Sequence, residues 1–219
     1  MQMVNLLIAL FPIAIILLAS EYLWRRRIIK GERARKFIHV LSGVYMAFWP
    51  FYLSLDGVFV VGFLAASLLI YSRYTDLFSA IYAVKRRTYG DILFAVSIII
   101  CSYYAREPWI FTIAVLLMAA ADGGAALIGK KWGKKSVYYV FGKKSLKKSI
   151  AGTLAFIAIA YFSILVGSLL GGSSAIASNY VLALIALPIG AVLLENTMAY
   201  GLDNLMTPLF ATLLLNSLL

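Results

Sequence analysis

Residues 119–153 read AAADGGAALIGKKWGKKSVYYVFGKKSLKKSIAGT, and this stretch sets the organisation that we predict for the whole chain. An acidic residue, Asp122, stands inside an apolar run, and eight lysines occupy the nineteen residues from Lys130 to Lys148 before a second apolar run begins at Ser149. An acidic side chain in hydrocarbon is costly and usually faces a cavity lined by protein. Asp122 is therefore predicted to be functional, and the lysines beside it predict an anionic ligand.

Composition places the chain among membrane proteins. The 219 residues are 63% hydrophobic and 13% charged, and the mean hydropathy is +0.92. A soluble domain of this size could not bury so many apolar side chains. A single cysteine, Cys101, excludes a disulfide framework and a metal site built from cysteines.

Apolar runs of about 20 residues, the length that crosses the hydrocarbon core, predict eight membrane spans. Their predicted ranges are Met3–Trp24, Phe37–Leu55, Gly57–Tyr71, Tyr89–Ala105, Trp109–Gly129, Ser149–Leu170, Tyr180–Tyr200 and Leu202–Leu219, with Pro12 interrupting the first. The segment Arg73–Arg87 has apolar residues at helical spacing, which predicts an amphipathic helix in the interface. The spans leave no room for a soluble domain, so we predict an all-α, polytopic bundle forming a single integral membrane domain over residues 1–219.

The basic residues predict the orientation of this bundle. In the eight-span arrangement, 19 of the 20 Lys and Arg residues fall in loops on one side, and only Arg106 falls on the other. Cytoplasmic loops collect Lys and Arg, so these loops are predicted to be cytoplasmic and both termini to lie outside. Orientation also accounts for most of the formal charge of +11 without a nucleic-acid partner.

Polar residues cluster at the cytoplasmic level of the predicted spans. They are His39, Asp122, Glu195, Asp203 and Asn204. Carboxylates and lysines at one level suit a polyphosphate bound to a metal ion, because Mg²⁺ prefers one or two carboxylates together with phosphate oxygens. The glycine-rich phosphate loops of soluble nucleotide-binding folds are missing from the sequence, as are the metalloprotease and serine-hydrolase motifs.

Each polar residue also has a purely structural interpretation. His39 could bond to backbone, and Asp122 and Glu195 could pair with a lysine or arginine. Asp203 could cap the last helix, while Gly129 and Gly133 could form a helix-packing face. The lysine-rich stretch could be a solvated loop that attracts anionic lipid. The joint placement of these residues favours a functional site.

Four fragments of the sequence, in this order, resemble the dolichol kinase and phytol kinase family, which is related to the phosphatidate cytidylyltransferases. They are Arg35-Lys36-x-x-His39-x-x-Ser42-Gly43, Asp122-Gly123-x-Ala125-Ala126-x-x-Gly129-x-x-x-Gly133, Lys148-Ser149-x-x-Gly152-Thr153, and Glu195 with Gly201-x-Asp203-Asn204-x-x-x-Pro208. The resemblance implies a polytopic enzyme that transfers the γ-phosphoryl group of CTP to the hydroxyl of a long isoprenoid alcohol, using a divalent metal ion. Ala151 departs from the family, which usually has a glutamate before the glycine.

We therefore predict a nucleotide and metal site at the cytoplasmic face. Asp122 and Asp203 would hold Mg²⁺ with help from Glu195, and either Asp122 or His39 would serve as the base. The residues predicted to bind the nucleotide are Gly123, Gly129, Lys130, Lys131, Lys143, Lys144, Lys148, Ser149, Gly152 and Asn204. The lipid alcohol would reach the site from the bilayer.

The sequence is also compatible with two other functions. A cytidylyltransferase would form a CDP-lipid from a lipid phosphate. The related cytidylyltransferases have a D-R-x-D sequence at the position where this chain has Asp203-Asn204-Leu205-Met206, and the lack of Arg there favours the kinase. A transporter would suit intramembrane carboxylates and Pro188 in the seventh span, although its acids would be expected nearer the midplane.

Overall fold

The computed structural model describes residues 3–75, 89–143, 146–172 and 179–219. Within these ranges the chain is almost entirely helical. The α-helices are α1 Met3–Arg25, α2 Glu32–Met46, α3 Leu55–Thr75, α4 Gly90–Tyr104, α5 Pro108–Leu116, α6 Asp122–Trp132, α7 Ile150–Gly171, α8 Tyr180–Thr197 and α9 Asp203–Leu218. The described ranges also contain two short strands, β1 Val137–Tyr139 and β2 Lys147–Ser149.

The centre of the bundle is one continuous rod made of α5, a π-helical turn at Leu117–Ala121, and α6. Of the residues in its most apolar segment, 72% are buried, against 11–33% in the other four long apolar helices. Every residue from Trp109 to Leu117 is buried, because α7, α9 and α2 all pack around this rod. The rod therefore supplies the core, and α1 lies at the periphery.

Among the described residues, five helices are long and apolar enough to cross a membrane, which confirms an all-α membrane bundle. They span Met3–Arg25, Leu55–Ser72, Pro108–Lys135, Ile150–Gly171 and Tyr180–Thr197, and α4 is a shorter apolar helix. The helices α2 and α9 are not in this set, so the count of eight spans stays a prediction.

Two details of the predicted spans differ from the structure. The predicted second span, Phe37–Leu55, is a helix that begins earlier and ends at Met46. Pro50 has no N–H to continue an α-helical ladder, and the chain instead forms a 3₁₀ turn at Trp49–Phe51. Pro12, by contrast, does not interrupt α1. The predicted interfacial helix Arg73–Arg87 lies almost wholly outside the described residues.

The helix α2 lies directly against the π-helical turn. A Cβ atom on Gly43 would stand 2.3 Å from the Cβ of Ala119, so the two backbones are in close contact. This contact fixes the start of α2, with Lys36 and His39, beside the start of α6, where Asp122 lies. The packing thus joins two parts of the sequence that are 86 residues apart.

The lysine-rich stretch is not a simple loop, because β1 and β2 pair antiparallel with Tyr138 opposite Lys148. This hairpin was not predicted. Val137, Tyr138 and Tyr139 are residues that favour extended backbone, which explains the strand between flanking lysines. The hairpin delivers Lys148 and Ser149 directly to the start of α7.

Candidate active site

One pocket of about 540 Å³ opens at the end of the bundle where α2, α7 and α9 begin and where α6 and α8 end. Carboxylates, lysines and glycines line it, together with a few small apolar side chains. The charged and amide residues in its wall are Arg35, Lys36, Asp122, Lys130, Lys134, Lys147, Lys148, Glu195, Asp203 and Asn204. The bundle therefore brings acidic and basic side chains from four helices, from Lys134 after α6 and from the hairpin to one cavity.

Asp122 is buried, and it is the first residue after the π-helical turn. Lys36 on α2 donates a hydrogen bond from Nζ to Asp122 Oδ2 at 2.5 Å. His39 lies one turn further along α2, with Nε2 3.8 Å from the same oxygen. Single π-helical turns inside α-helices often occur at functional sites, and this one sits where Asp122 enters the pocket.

The imidazole of His39 faces the backbone of the π-helical turn. Its Nε2 lies 3.1 Å from the carbonyl oxygen of Met118. A carbonyl oxygen can only accept a hydrogen bond, so Nε2 carries the proton and donates it. His39 is buried and is not among the residues that line the pocket. It therefore supports the turn from behind Asp122.

A second ion pair joins the hairpin to the end of α8. Lys148 on β2 donates from Nζ to the carbonyl oxygen of Glu195 at 2.7 Å and also to its carboxylate Oε1. The Glu195 side chain is buried, and that of Lys148 is 21% exposed. The contact closes one wall of the pocket.

Asp203 and Asn204 form the first turn of α9. Asp203 Oδ1 accepts a hydrogen bond from the N–H of Asn204 at 3.2 Å, and Asn204 Nδ2 donates to the carbonyl oxygen of Gly90 at 2.7 Å. Asp203 is close enough to interact electrostatically with Asp122, Lys36 and Lys148. Within the described part of the chain it has no salt bridge of its own, so its carboxylate stands open to the pocket.

The N-terminus of α7 forms another wall, and it is closely packed. Ser149 caps this helix, its Oγ accepting a hydrogen bond from the N–H of Gly152 at 3.2 Å. A Cβ atom on Gly129 would come within 2.8 Å of that oxygen, and one on Gly133 within 2.2 Å. Glycine at both positions therefore lets the end of α6 approach the start of α7.

Tyr138 holds the hairpin against two helices. Its hydroxyl lies 2.6 Å from Thr153 Oγ1 on α7 and donates to Asn196 Oδ1 on α8 at 3.2 Å. Asn196 follows Glu195, the partner of Lys148, so facing residues of the two strands contact consecutive residues of α8. These contacts position Lys148 in the wall of the pocket.

Comparison with known proteins identifies the family. A phytol kinase from Synechocystis sp. is 31% identical over 208 residues, covering 91% of this chain and 84% of that protein. The chain belongs to the phytol kinase family. Two plant relatives, probable phytol kinase 2 of Glycine max and a probable phytol kinase of Zea mays, both chloroplastic, are each 31% identical. Each of these matches covers 62% of this chain and 46% or 48% of the plant protein.

No protein-family model matches the chain, and no solved structure matches it. Membership in the phytol kinase family agrees with the resemblance carried by the four sequence fragments, and the prediction of family is therefore confirmed.

The pocket of this phytol kinase family member brings together most of the residues predicted for the site. Those that line it are Asp122, Gly129, Lys130, Lys148, Ser149, Gly152, Glu195, Asp203 and Asn204. Four others do not line it. One is His39, which lies behind the pocket, and the others are Gly123, Lys131 and Lys143. Gly123 packs α6 against Val40 on α2, Lys131 lies 4.5 Å over the ring of Trp132, and Lys143 is exposed at the hairpin. Lys144 lies outside the described residues.

Sequence reasoning missed several residues that line or support the pocket. Arg35 and Lys36 belong to the first fragment, and Lys134 and Lys147 are two of the eight lysines, but the sequence predicts a role in the site for none of these four residues. The signal for Lys36 was its place at the cytoplasmic end of the predicted second span. Tyr138 had no sequence signal, because its partners lie 15 and 58 residues away.

The carboxylates of the pocket fit a divalent cation only if phosphate oxygens of a bound ligand also contact that cation. Within residues 3–75, 89–143, 146–172 and 179–219, no group of three or more His, Cys, Asp and Glu side chains has the arrangement of a metal site. Mg²⁺ is usually held by one or two carboxylates together with substrate phosphates and water. Asp203, open to the pocket, and Asp122 beside it meet that requirement.

Proposed function

We propose that this protein is a kinase that transfers the γ-phosphoryl group of CTP to the hydroxyl of a long-chain isoprenoid alcohol at the cytoplasmic face of the membrane. The observation that carries this proposal is the pocket itself, where Asp122, Glu195 and Asp203 meet a group of lysines at one end of a membrane-spanning bundle. Membership in the phytol kinase family supports a prenyl-alcohol acceptor. The choice of CTP and of Mg²⁺ rests on the resemblance of the sequence fragments.

The reaction requires one bond to form and one to break. The alcohol oxygen bonds to the γ-phosphorus while the bond from that phosphorus to the oxygen bridging the β-phosphate breaks, so CDP leaves with the bridging oxygen. Phosphoryl transfer depends mainly on positioning and on neutralising charge, with little covalent work for the protein. The lysines in the pocket wall supply that neutralisation, and they are Lys36, Lys130, Lys134, Lys147 and Lys148.

The hydroxyl proton of the alcohol needs an acceptor beside the pocket. Asp122 lines the pocket, whereas His39 lies behind it with Nε2 already donating to the Met118 carbonyl. We therefore assign the proton to the Asp122 carboxylate. His39 holds the π-helical turn that carries Asp122.

A divalent cation would be held by Asp203 and Asp122, with Glu195 assisting. When bound, it would neutralise charge on the phosphate oxygens as the leaving group departs. Ala151, where the family usually has glutamate, is half-buried on the first turn of α7. Because this carboxylate is missing, Glu195 or Asp203 would have to contribute more to holding the cation.

The placement of the site suits a lipid alcohol. The basic residues share one side of the predicted topology, so the pocket would open at the cytoplasmic interface with the alcohol chain in the bilayer or between helices. The hydroxyl would then meet a water-soluble nucleotide at the level of Asp122. Dolichol, polyprenol, phytol, geranylgeraniol and diacylglycerol are the alcohols to be compared.

A double-label experiment tests the proposal. Purified protein in detergent receives a lipid alcohol with CTP labelled in either the α or the γ phosphate. The proposal predicts γ-label in the lipid product and α-label in CDP. Release of pyrophosphate, with a lipid phosphate as acceptor, would identify a cytidylyltransferase, and lipid counterflow in vesicles without nucleotide consumption would identify a transporter.

A panel of nucleotides and alcohols defines the substrates in the same assay. The proposal predicts faster transfer from CTP than from ATP, GTP or UTP, and faster transfer to prenyl alcohols than to diacylglycerol. Equal rates with all four nucleotides would remove CTP from the proposal but leave the kinase.

A further inference from the structure

Two lysine–carboxylate pairs stand in the wall of the same pocket. In the Lys36–Asp122 pair the side chains are 15% and 11% exposed, and in the Lys148–Glu195 pair they are 21% and 8% exposed. Water reaches these groups poorly, so each charge depends on its partner for compensation. Neither pair is a weak surface contact of the kind that solvent would readily replace.

These pairs create a conflict with the proposed function. A polyphosphate needs lysines that are free to contact its oxygens, but the two innermost lysines already hold carboxylates. A divalent cation needs free carboxylates, but Asp122 and Glu195 already hold lysines. A polyphosphate that contacts Lys36 and Lys148, or a cation that contacts Asp122 and Glu195, must therefore break these two pairs.

The charges allow one solution in which no buried group is left alone. Lys36 and Lys148 lie beside three carboxylates, those of Asp122, Glu195 and Asp203. Arg35 and the more exposed Lys130, Lys134 and Lys147 add further positive charge to the same wall. If a polyphosphate takes both lysines while a cation takes the carboxylates, every charge keeps an opposite partner throughout. If either ligand arrives without the other, some charges lose their partner.

We propose that the two pairs exchange partners when the nucleotide and the cation bind together. Lys36 and Lys148 transfer from the carboxylates to phosphate oxygens, and Asp122 and Glu195 become available to the cation beside Asp203. This pair exchange rests on the proposed function for the identity of the nucleotide. It gives Lys36 a role in binding the phosphates, and it makes the two lysines a barrier to binding of the cation alone.

The chemistry of lysine suits this exchange. An ammonium on a flexible four-carbon stem is a point charge that can turn from one oxygen to another near it. Arginine would hold a carboxylate through two parallel hydrogen bonds in a fixed plane and would release it less readily. The backbone carbonyl of Glu195, which also accepts from Lys148, keeps that ammonium in the pocket wall while its carboxylate contact changes.

Binding of Mn²⁺ without nucleotide tests the proposal, with the free ion followed by its electron paramagnetic resonance signal. The full chain in detergent is compared with Lys36→Met and Lys148→Met, which remove one ammonium each. The pair exchange predicts that either variant binds Mn²⁺ about tenfold more tightly than the unaltered protein, because the freed carboxylate no longer holds a lysine. Affinity in both variants equal to that of the unaltered protein would overturn it.

Matched variants separate this effect from general loss of charge or of folding. Lys135→Met removes an exposed lysine of the same stretch that does not line the pocket, and it should leave Mn²⁺ binding unchanged. The double variant Lys36→Met/Asp122→Asn removes both members of one pair, and it should lose the gain seen with Lys36→Met. A gain of the same size in Lys135→Met would also overturn the proposal.

The conservative variant Lys36→Arg covers the case in which Lys36→Met does not fold. It keeps the charge, so Mn²⁺ alone should bind as weakly as to the unaltered protein, while the increase in affinity on adding CTP should fall about tenfold. An undiminished increase would contradict the exchange. The Mn²⁺ measurements without nucleotide need no turnover, so their failure is distinct from failure of the double-label assay.

Discussion

The close approach of Gly133 to Ser149 makes the wall of the pocket sensitive to one methyl group. In a Gly133→Ala variant, the new Cβ would stand 2.2 Å from Ser149 Oγ and 2.5 Å from Ser149 Cβ. An ordinary contact is at least 3.4 Å, so the atoms must separate by about 1.2 Å and 0.9 Å respectively. Rotating the hydroxyl relieves only the first contact. The second requires the start of α7 to move.

The cost of that movement follows from overpacking, which typically destabilises a protein by about 1–3 kcal/mol. The displaced segment carries Lys148, Ser149 and Gly152 in the pocket wall, so the variant should also bind nucleotide less tightly. We expect a lower midpoint of thermal unfolding in detergent and a KM for CTP raised about tenfold, equivalent to about 1.4 kcal/mol. Both are measured on the purified protein.

Two variants make this prediction refutable. Gly133→Ala/Ser149→Gly removes both clashing atoms and should recover most of the lost stability, because Gly replaces a serine N-cap at a cost of only a few tenths of a kcal/mol. Gly124→Ala is the matched control, since its Cβ would meet only the terminal methyl of the half-buried Ile159. If Gly133→Ala had the unfolding midpoint and KM of the unaltered protein, the packing argument would be wrong.

Three further outcomes follow from contacts around the pocket. Tyr138→Phe removes the hydroxyl that holds the hairpin, and it should raise the KM for nucleotide with a stability loss of about 1 kcal/mol, measured by kinetics and thermal unfolding. Asn204→Ala deletes the hydrogen bond to the Gly90 carbonyl and should cost about 1–3 kcal/mol; an unchanged unfolding midpoint would contradict that contact. Gly123→Ala would put a Cβ 2.1 Å from Val40 Cγ2, so it should destabilise the protein, and adding Val40→Ala should restore much of the loss.

The general arrangement of the site could be predicted from the sequence because a membrane limits the possibilities. Once the apolar runs are taken as spans, the positive-inside rule places Asp122, Glu195, Asp203 and the lysines at one level. The structure brings those acids to a single pocket. The glycines of the second fragment likewise stand where close approach to α7 requires them.

The details that the sequence did not reveal depend on contacts between distant residues. Nothing in the sequence pairs Lys36 with Asp122, since the contact depends on α2 crossing the rod at Gly43. The π-helical turn lies in the apolar run Leu117–Ala121, where no residue distinguishes π from α geometry. The hairpin did have a signal, the run Val137–Tyr139, but the surrounding lysines obscured it.

The most direct measurement of the central claim is the rate of γ-phosphoryl transfer from CTP to a prenyl alcohol in an Asp203→Asn variant. This substitution keeps the shape of the side chain and removes the pocket carboxylate that has no salt bridge within the described residues. Asp56→Asn, in the first turn of α3, is the control. Our account predicts that Asp203→Asn lowers the rate at least about a hundredfold while Asp56→Asn leaves it unchanged. Transfer by Asp203→Asn at the rate of the unaltered protein would contradict the account.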